Sequence, residues 1–164
     1  MPVKRFLLLF IALLMVSPGL AEDMFVVGED IALEDVTEFY YTYDSSAFPP
    51  DYQRYRFYAE DGRYYFCHEK REGDHWPLTE DDVTVSGILE LSAEEWSLFW
   101  QYLNGGKVRN PEDNLLDGDD GPWLFLYWKG DRDTYREFSF PTWQVRLAFE
   151  SWCDELKERE IAIE

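Results

Sequence analysis

Cysteine and histidine are scarce in this chain, two of each in 164 residues. Two cysteines exclude a zinc ribbon and a disulfide-dense scaffold. Two histidines leave little material for histidine-based chemistry. Basic residues are few as well, 15 Lys+Arg against 34 Asp+Glu, for a net charge of −19. That balance repels nucleic acid and anionic membrane surfaces, so neither is an expected partner. The longest apolar run, residues 6–16, is too short to span a bilayer. No G-x-S-x-G elbow, phosphate loop or dinucleotide fingerprint is present.

What the chain has in quantity is aromatic side chains: 12 Phe, 11 Tyr and 7 Trp. With 46% hydrophobic residues it can build a core, and its length suits one domain.

Lys4 and Arg5 ahead of the apolar run, then Ser17-Pro18-Gly19 and small residues at Gly19 and Ala21, have the layout of an export signal. The expectation is cleavage near Ala21 and a secreted or extracellular protein, with an uncleaved anchor as the rival. No cysteine follows the leader, so no lipid attachment is expected. Export would place Cys67 and Cys153 where disulfides form.

Residues 22–35 form a lead-in without a clear period. Four strands are then predicted over 37–44, 52–59, 63–69 and 83–91, dense in residues that suit a pleated surface. Ser92 and Glu95 make a capping box that opens a helix over 93–103, with Trp96, Phe99, Trp100 and Leu103 on one stripe. Asn104-Gly105-Gly106 ends it. Residues 107–122 read as a polar loop, followed by strands over 123–128 and 134–140. A last helix runs to Lys157 with Val145, Phe149, Trp152, Cys153 and Leu156 on its stripe. An acidic tail, 158–164, would fray. The order β-β-β-β-α-β-β-α predicts a single α+β domain over 36–157: one antiparallel sheet with two helices packed on one face.

Five segments carry a resemblance. They are Glu38–Tyr43 (EFYYTY), Glu60–Phe66 (EDGRYYF), Ser92–Leu103 (SAEEWSLFWQYL), the Leu116-Asp117-Gly118 turn ahead of Trp123–Trp128 (WLFLYW), and Phe140–Trp152 (FPTWQVRLAFESW). Together they resemble a group of small exported or lipid-anchored proteins of anaerobic Gram-positive bacteria. The resemblance spans most of the chain after the leader. It implies the fold and the exported location, and no activity, ligand or catalytic residue.

The hairpin at Glu60-Asp61-Gly62 admits two registers. With Asp61-Gly62 as a two-residue loop, Glu60 pairs with Arg63 and Cys67 lies opposite Arg56. With a type I turn and a bulge at Gly62, Tyr55 lies opposite Cys67, and Tyr55, Phe57, Ala59, Tyr65 and Cys67 share a face. Burial favours the second register. It would point Cys67 at Cys153 on the last helix, within roughly 4.4–6.8 Å between Cα atoms, for a disulfide.

Candidate chemistry is thin. His68 and His75 are seven residues apart, too far for a helical metalloprotease pair. Asp117, Asp119 and Asp120 sit in an oxygen-rich loop that is a weak candidate for calcium, and the EF-hand pattern fails there. No other cofactor is expected. Paired carboxylates are inevitable among so many acids and do not by themselves mark a glycosidase. The strongest positive feature is a second, helix-free sheet face bearing Tyr40, Tyr52, Arg54, Arg56, Tyr58, Tyr64 and Phe66. Tyrosine beside arginine has the composition of a recognition surface. The expectation is an exported, non-enzymatic binding domain for a protein or glycan. The alternatives are a secreted carboxylate hydrolase, with or without calcium, and a structural envelope-associated domain.

Overall fold

A computed structural model describes residues 24–110, 122–129 and 136–162. Its strands are β1 (Phe25–Val26), β2 (Val36–Ser45), β3 (Asp51–Glu60), β4 (Arg63–Glu72), β5 (Val83–Leu91), β6 (Lys107–Arg109), β7 (Trp123–Trp128), β8 (Arg136–Ser139) and β9 (Ile161–Ala162). Its helices are α1 (Ala93–Leu103) and α2 (Trp143–Lys157). The strands form one sheet in the order β1-β6-β8-β7-β2-β3-β4-β5-β9, with every neighbouring pair antiparallel.

The α+β class and the single antiparallel sheet agree with the expectation. The strand count and order do not. Residues read as a lead-in supply β1 and the buried Val27 and Ile31. The polar loop after α1 opens with β6, and the tail expected to fray supplies β9. These strands are two or three residues long, too short for alternation to register in a sequence.

Both helices pack on the same face. Ser92 accepts the Glu95 backbone N–H while the Glu95 carboxylate accepts the Ser92 N–H, so α1 is capped as its sequence requires. Thr142 caps α2 through the Val145 N–H. Phe57 stands at the centre of the core. Its ring stacks on Phe99 of α1 at 4.6 Å and on Trp152 of α2 at 5.4 Å, and meets Phe66 of β4 at 5.1 Å. Tyr64 stacks on Trp96 at 4.7 Å. α2 is further tied to the sheet by Tyr41, whose hydroxyl donates to Glu150 and accepts from Arg146.

The hairpin register departs from the expectation. Asp61 and Gly62 have φ of 51° and 77°. Two successive left-handed residues are what a two-residue type I′ turn requires, and its twist matches that of the strands. Glu60 therefore pairs with Arg63, Phe57 with Phe66 and Arg56 with Cys67. The alternative would have buried Tyr65 and Cys67 in place of Tyr64, Phe66 and His68. Phe66 offers far more apolar area than a thiol, so burial selects the tight turn.

The expected disulfide is overturned by the same register. Cys67 points to the helix-free face, Cys153 is fully buried on the helix side, and both are free thiols. Burial pushes both thiols above their ordinary pKa, Cys153 the further. At the far edge, Glu160 reaches His68 Nδ1 at 3.1 Å. It does so over Gly87, where a Cβ would lie 2.3 Å from the Glu160 carboxyl carbon. That contact holds β9 to the rim.

Two outcomes follow from the partition of faces. Unreduced protein in denaturant should titrate two free thiols, while native protein reacts slowly at Cys67 and hardly at Cys153; a chain without free thiols would contradict the register. Phe57→Ala should lose about 3–5 kcal/mol of stability in urea unfolding. Tyr65→Ala, on the other face, should cost roughly 1 kcal/mol.

Candidate functional site

The face turned away from the helices is built by register. Tyr40 lies opposite Arg56, Thr42 opposite Arg54, Tyr58 opposite Tyr65, and Tyr52 opposite Arg71. On the other flank β7 brings Phe125 opposite Tyr40 and Tyr127 opposite Glu38. The result is a ladder of alternating arginines and tyrosines. Arg71 sits 4.4 Å from the Tyr52 ring centre, and Arg54 lies 5.3 Å from Tyr52 and 5.6 Å from Tyr40. Arg56 lies 5.7 Å from Tyr40 and 4.3 Å from Tyr58, whose ring stacks on Tyr65 at 5.0 Å. Each such cation–ring contact contributes about 0.5–1 kcal/mol at an exposed site. Tyr40 also meets Tyr127 edge-on, at 6.1 Å and 69°.

Of the expected face residues, Tyr40, Tyr52, Arg54, Arg56 and Tyr58 come together here. Tyr64 and Phe66 do not: the hairpin register turns both to the helix side, where Phe66 is fully buried. Their places are taken by Tyr65 and Cys67, one residue along. Arg71, Phe125 and Tyr127 were not anticipated. Arg71 follows from the register once the turn is known. Phe125 and Tyr127 require the β2–β7 pairing, which joins strands far apart in the chain. Asp117, Asp119 and Asp120, the calcium candidates, lie outside the described residues, as does the leader. Among the described residues no group of three His, Cys, Asp or Glu is placed to hold a metal ion. No described helix is long and apolar enough to cross a membrane.

The charges on this face differ in how they are matched. Glu38 pairs with Arg56 at 2.5 Å and accepts the Tyr40 hydroxyl at 2.7 Å. Glu69 pairs with Arg71 at 2.7 Å. Arg54 has no carboxylate partner among the described residues; its Nε donates to Thr42 Oγ1 at 3.2 Å. Three shallow clefts share the face. One of about 660 Å³ lies at the hairpin end and carries Glu38, Glu60 and Asp61 beside Arg56. One of about 200 Å³ brings Tyr40, Arg54 and Arg56 together with Cys67, Glu69 and Ser86, Glu69 lying directly opposite Arg54. The central one, about 280 Å³, is lined by Tyr40, Thr42, Arg54, Phe125 and Tyr127, so its one ionised group is a cation.

Comparison of the chain with models of protein families, with curated proteins and with solved structures finds no match.

Burial pushes the Tyr40 hydroxyl up to about 12, with the adjacent Glu38 carboxylate adding to the shift. Burial raises Tyr41 and Tyr55 further still, Tyr41 with help from Glu150. An unfolded tyrosine ionises near pH 10. The native stability held by these protonated hydroxyls is thus complete below about pH 10 and is lost as pH rises through about 12. A tyrosinate absorbance titration should show a late group of tyrosines that ionises together with loss of the folded circular-dichroism signal. Ionisation of every tyrosine near pH 10 in a chain that stays folded would contradict this.

Proposed function

We propose that the chain is an exported, non-enzymatic binding domain whose protein or glycan partner docks on the open sheet face. The observation that carries the reading is the Arg71–Tyr52–Arg54–Tyr40–Arg56–Tyr58–Tyr65 ladder on the face that no helix covers. Tyrosine and arginine together supply large, stiff contact area with polar tips, the composition that carries binding energy at interfaces. The cation–ring contacts and two ion pairs hold these side chains in place before any partner arrives, which lowers the entropy lost on binding. The shallowness of the three clefts suits a docking surface better than a reaction chamber that must exclude water. Export rests on the leader over residues 1–21.

The test is a screen of the full chain on immobilised oligosaccharides and peptides, repeated with face variants. Tyr40→Ala and Tyr58→Ala should each weaken a partner's binding at least tenfold. Trp143→Ala and Leu147→Ala, on the exposed outer side of α2, should leave it unchanged. Binding that ignores the sheet-face variants, or turnover of a bound saccharide, would overturn the reading.

A further inference from the structure

We propose that the outer edge of β5 is a strand-acceptor site for a partner protein's extended segment carrying a single glutamate, and that β9 is the chain's own short occupant of that site. This contact surface is separate from the open face and does not depend on it.

The first support is an edge that is long and little used. β5 runs nine residues, Val83–Leu91, with β4 on its inner side. On its outer side β9 pairs with it only at Gly87 and Ile88 among the described residues. Residues 83–86 have no described strand beside them there, and Val83 and Thr84 are exposed. The Val83 N–H donates to Glu80. The backbone of residues 84–86 makes no hydrogen bond to described residues beyond the ladder with β4. Outward N–H and C=O groups of this kind are what an added strand pairs with.

The second support is the chemistry of the occupant already there. Ile161 lies opposite Ile88 and Ala162 opposite Gly87. Glu160, one residue earlier, carries its carboxylate over Gly87 to His68 Nδ1 at 3.1 Å. The His68 side chain is 7% exposed and that of Glu160 is 13%. The space exists because position 87 has no side chain; a Cβ there would lie 2.3 Å from the Glu160 carboxyl carbon. A strand edge, a glycine gap and a buried imidazole together select one carboxylate beside a paired backbone. A net charge of −19 disfavours further acids on the incoming segment.

The third support is that β9 fills the site poorly. Ile161 is 73% exposed, so its place in the sheet buries little. Glu160 Oε2 and His68 Nε2 are buried without a hydrogen-bond partner among the described residues, which costs the closed form free energy. Arg159 is tied to Glu95 at 2.6 Å, so the tail can let go from Glu160 onward while the end of α2 stays in place. A segment that supplies the same glutamate and continues along residues 83–86 makes the pairs that β9 makes and adds to them.

The experiment is fluorescence polarisation of the full chain with three labelled peptides. The first is Glu-Ile-Ala-Thr-Val-Thr-Val, which copies β9 and extends it. The second has Gln for its Glu, and the third has Pro for its central Thr. The first should bind at least tenfold more tightly than either of the others. Ile161→Pro, which removes β9 from the edge at an exposed position, should tighten binding of the first peptide at least tenfold. Gly87→Ala should weaken it at least tenfold, and His68→Gln should abolish the preference for Glu over Gln. If either of these two variants lowers the melting temperature, the three peptides on the unaltered chain and on Ile161→Pro decide the matter. Equal affinity for the first and third peptides would overturn strand addition, and equal affinity for the first and second would overturn the carboxylate assignment. An Ile161→Pro chain that binds the first peptide no better than the unaltered chain would overturn β9 as the occupant. Tyr40→Ala and Tyr58→Ala should leave peptide binding unchanged; a loss there would place the peptide on the open face and overturn the edge assignment.

Discussion

Two left-handed residues, Asp61 and Gly62, decide which side of the sheet each residue of β4 faces. A strand has a period of two, so a shift by one residue exchanges its faces completely. The tight turn places Phe66 against Phe57 and Tyr64 against Trp96, which closes the aromatic core beneath both helices. By the same step Tyr65, Cys67, Glu69 and Arg71 go to the other side. The core and the open face are therefore one decision. Strengthening one by slipping the hairpin would dismantle the other, and would also move the partner of each arginine in β3.

Charge is distributed to suit that partition. Basic residues are outnumbered more than two to one by acids in this chain, yet three arginines converge on one face of two adjacent strands, β3 and β4. Tyrosine makes this tolerable. Its ring accepts a cation on its face while its hydroxyl stays available to a carboxylate, as Tyr40 does between Arg56 and Glu38. Arginines packed only among aliphatic side chains would gain no such attraction. The alternation of Tyr and Arg along β3, Tyr52-Gln53-Arg54-Tyr55-Arg56-Phe57-Tyr58, also keeps the helix-facing positions free of charge.

The parts legible in the sequence were those encoded locally. α1 announces itself through Ser92, Glu95 and an apolar stripe, and α2 through Phe149, Trp152, Cys153 and Leu156 at helical spacing. The long strands β2 to β5 are dense enough in β-formers to be read within a residue or two. The parity of β4 was not legible in the same way. Glu60-Asp61-Gly62 fits either a two-residue turn or a bulged one, and both put Tyr55, Phe57 and Ala59 on one face. What separates them is whether Phe66 or Tyr65 lies opposite Phe57, and His68 or Cys67 opposite Tyr55, which depends on the space left beneath α1 and α2. The misplacement of Tyr64 and Phe66, and the disulfide that does not form, are the same error seen twice. Phe125 and Tyr127 were missed for a different reason: β7 joins β2 across most of the chain, and no local pattern encodes that neighbour.

The ends of the sheet are made by its shortest strands. β1 and β9, two residues each, stand at the two ends of the sheet. A long bare edge is a template for another chain's strand, and β9 pairs with β5 only at Gly87 and Ile88. β9 is held by the Glu160–His68 contact, which exists because Gly87 lacks a side chain and β5 can receive a carboxylate at that point. On the Tyr–Arg ladder of β2, β3 and β4 a contact would leave the sheet's own hydrogen bonds intact. A molecule placed there would meet side chains alone: tyrosine rings, and three guanidinium groups of which two are paired with glutamates among the described residues.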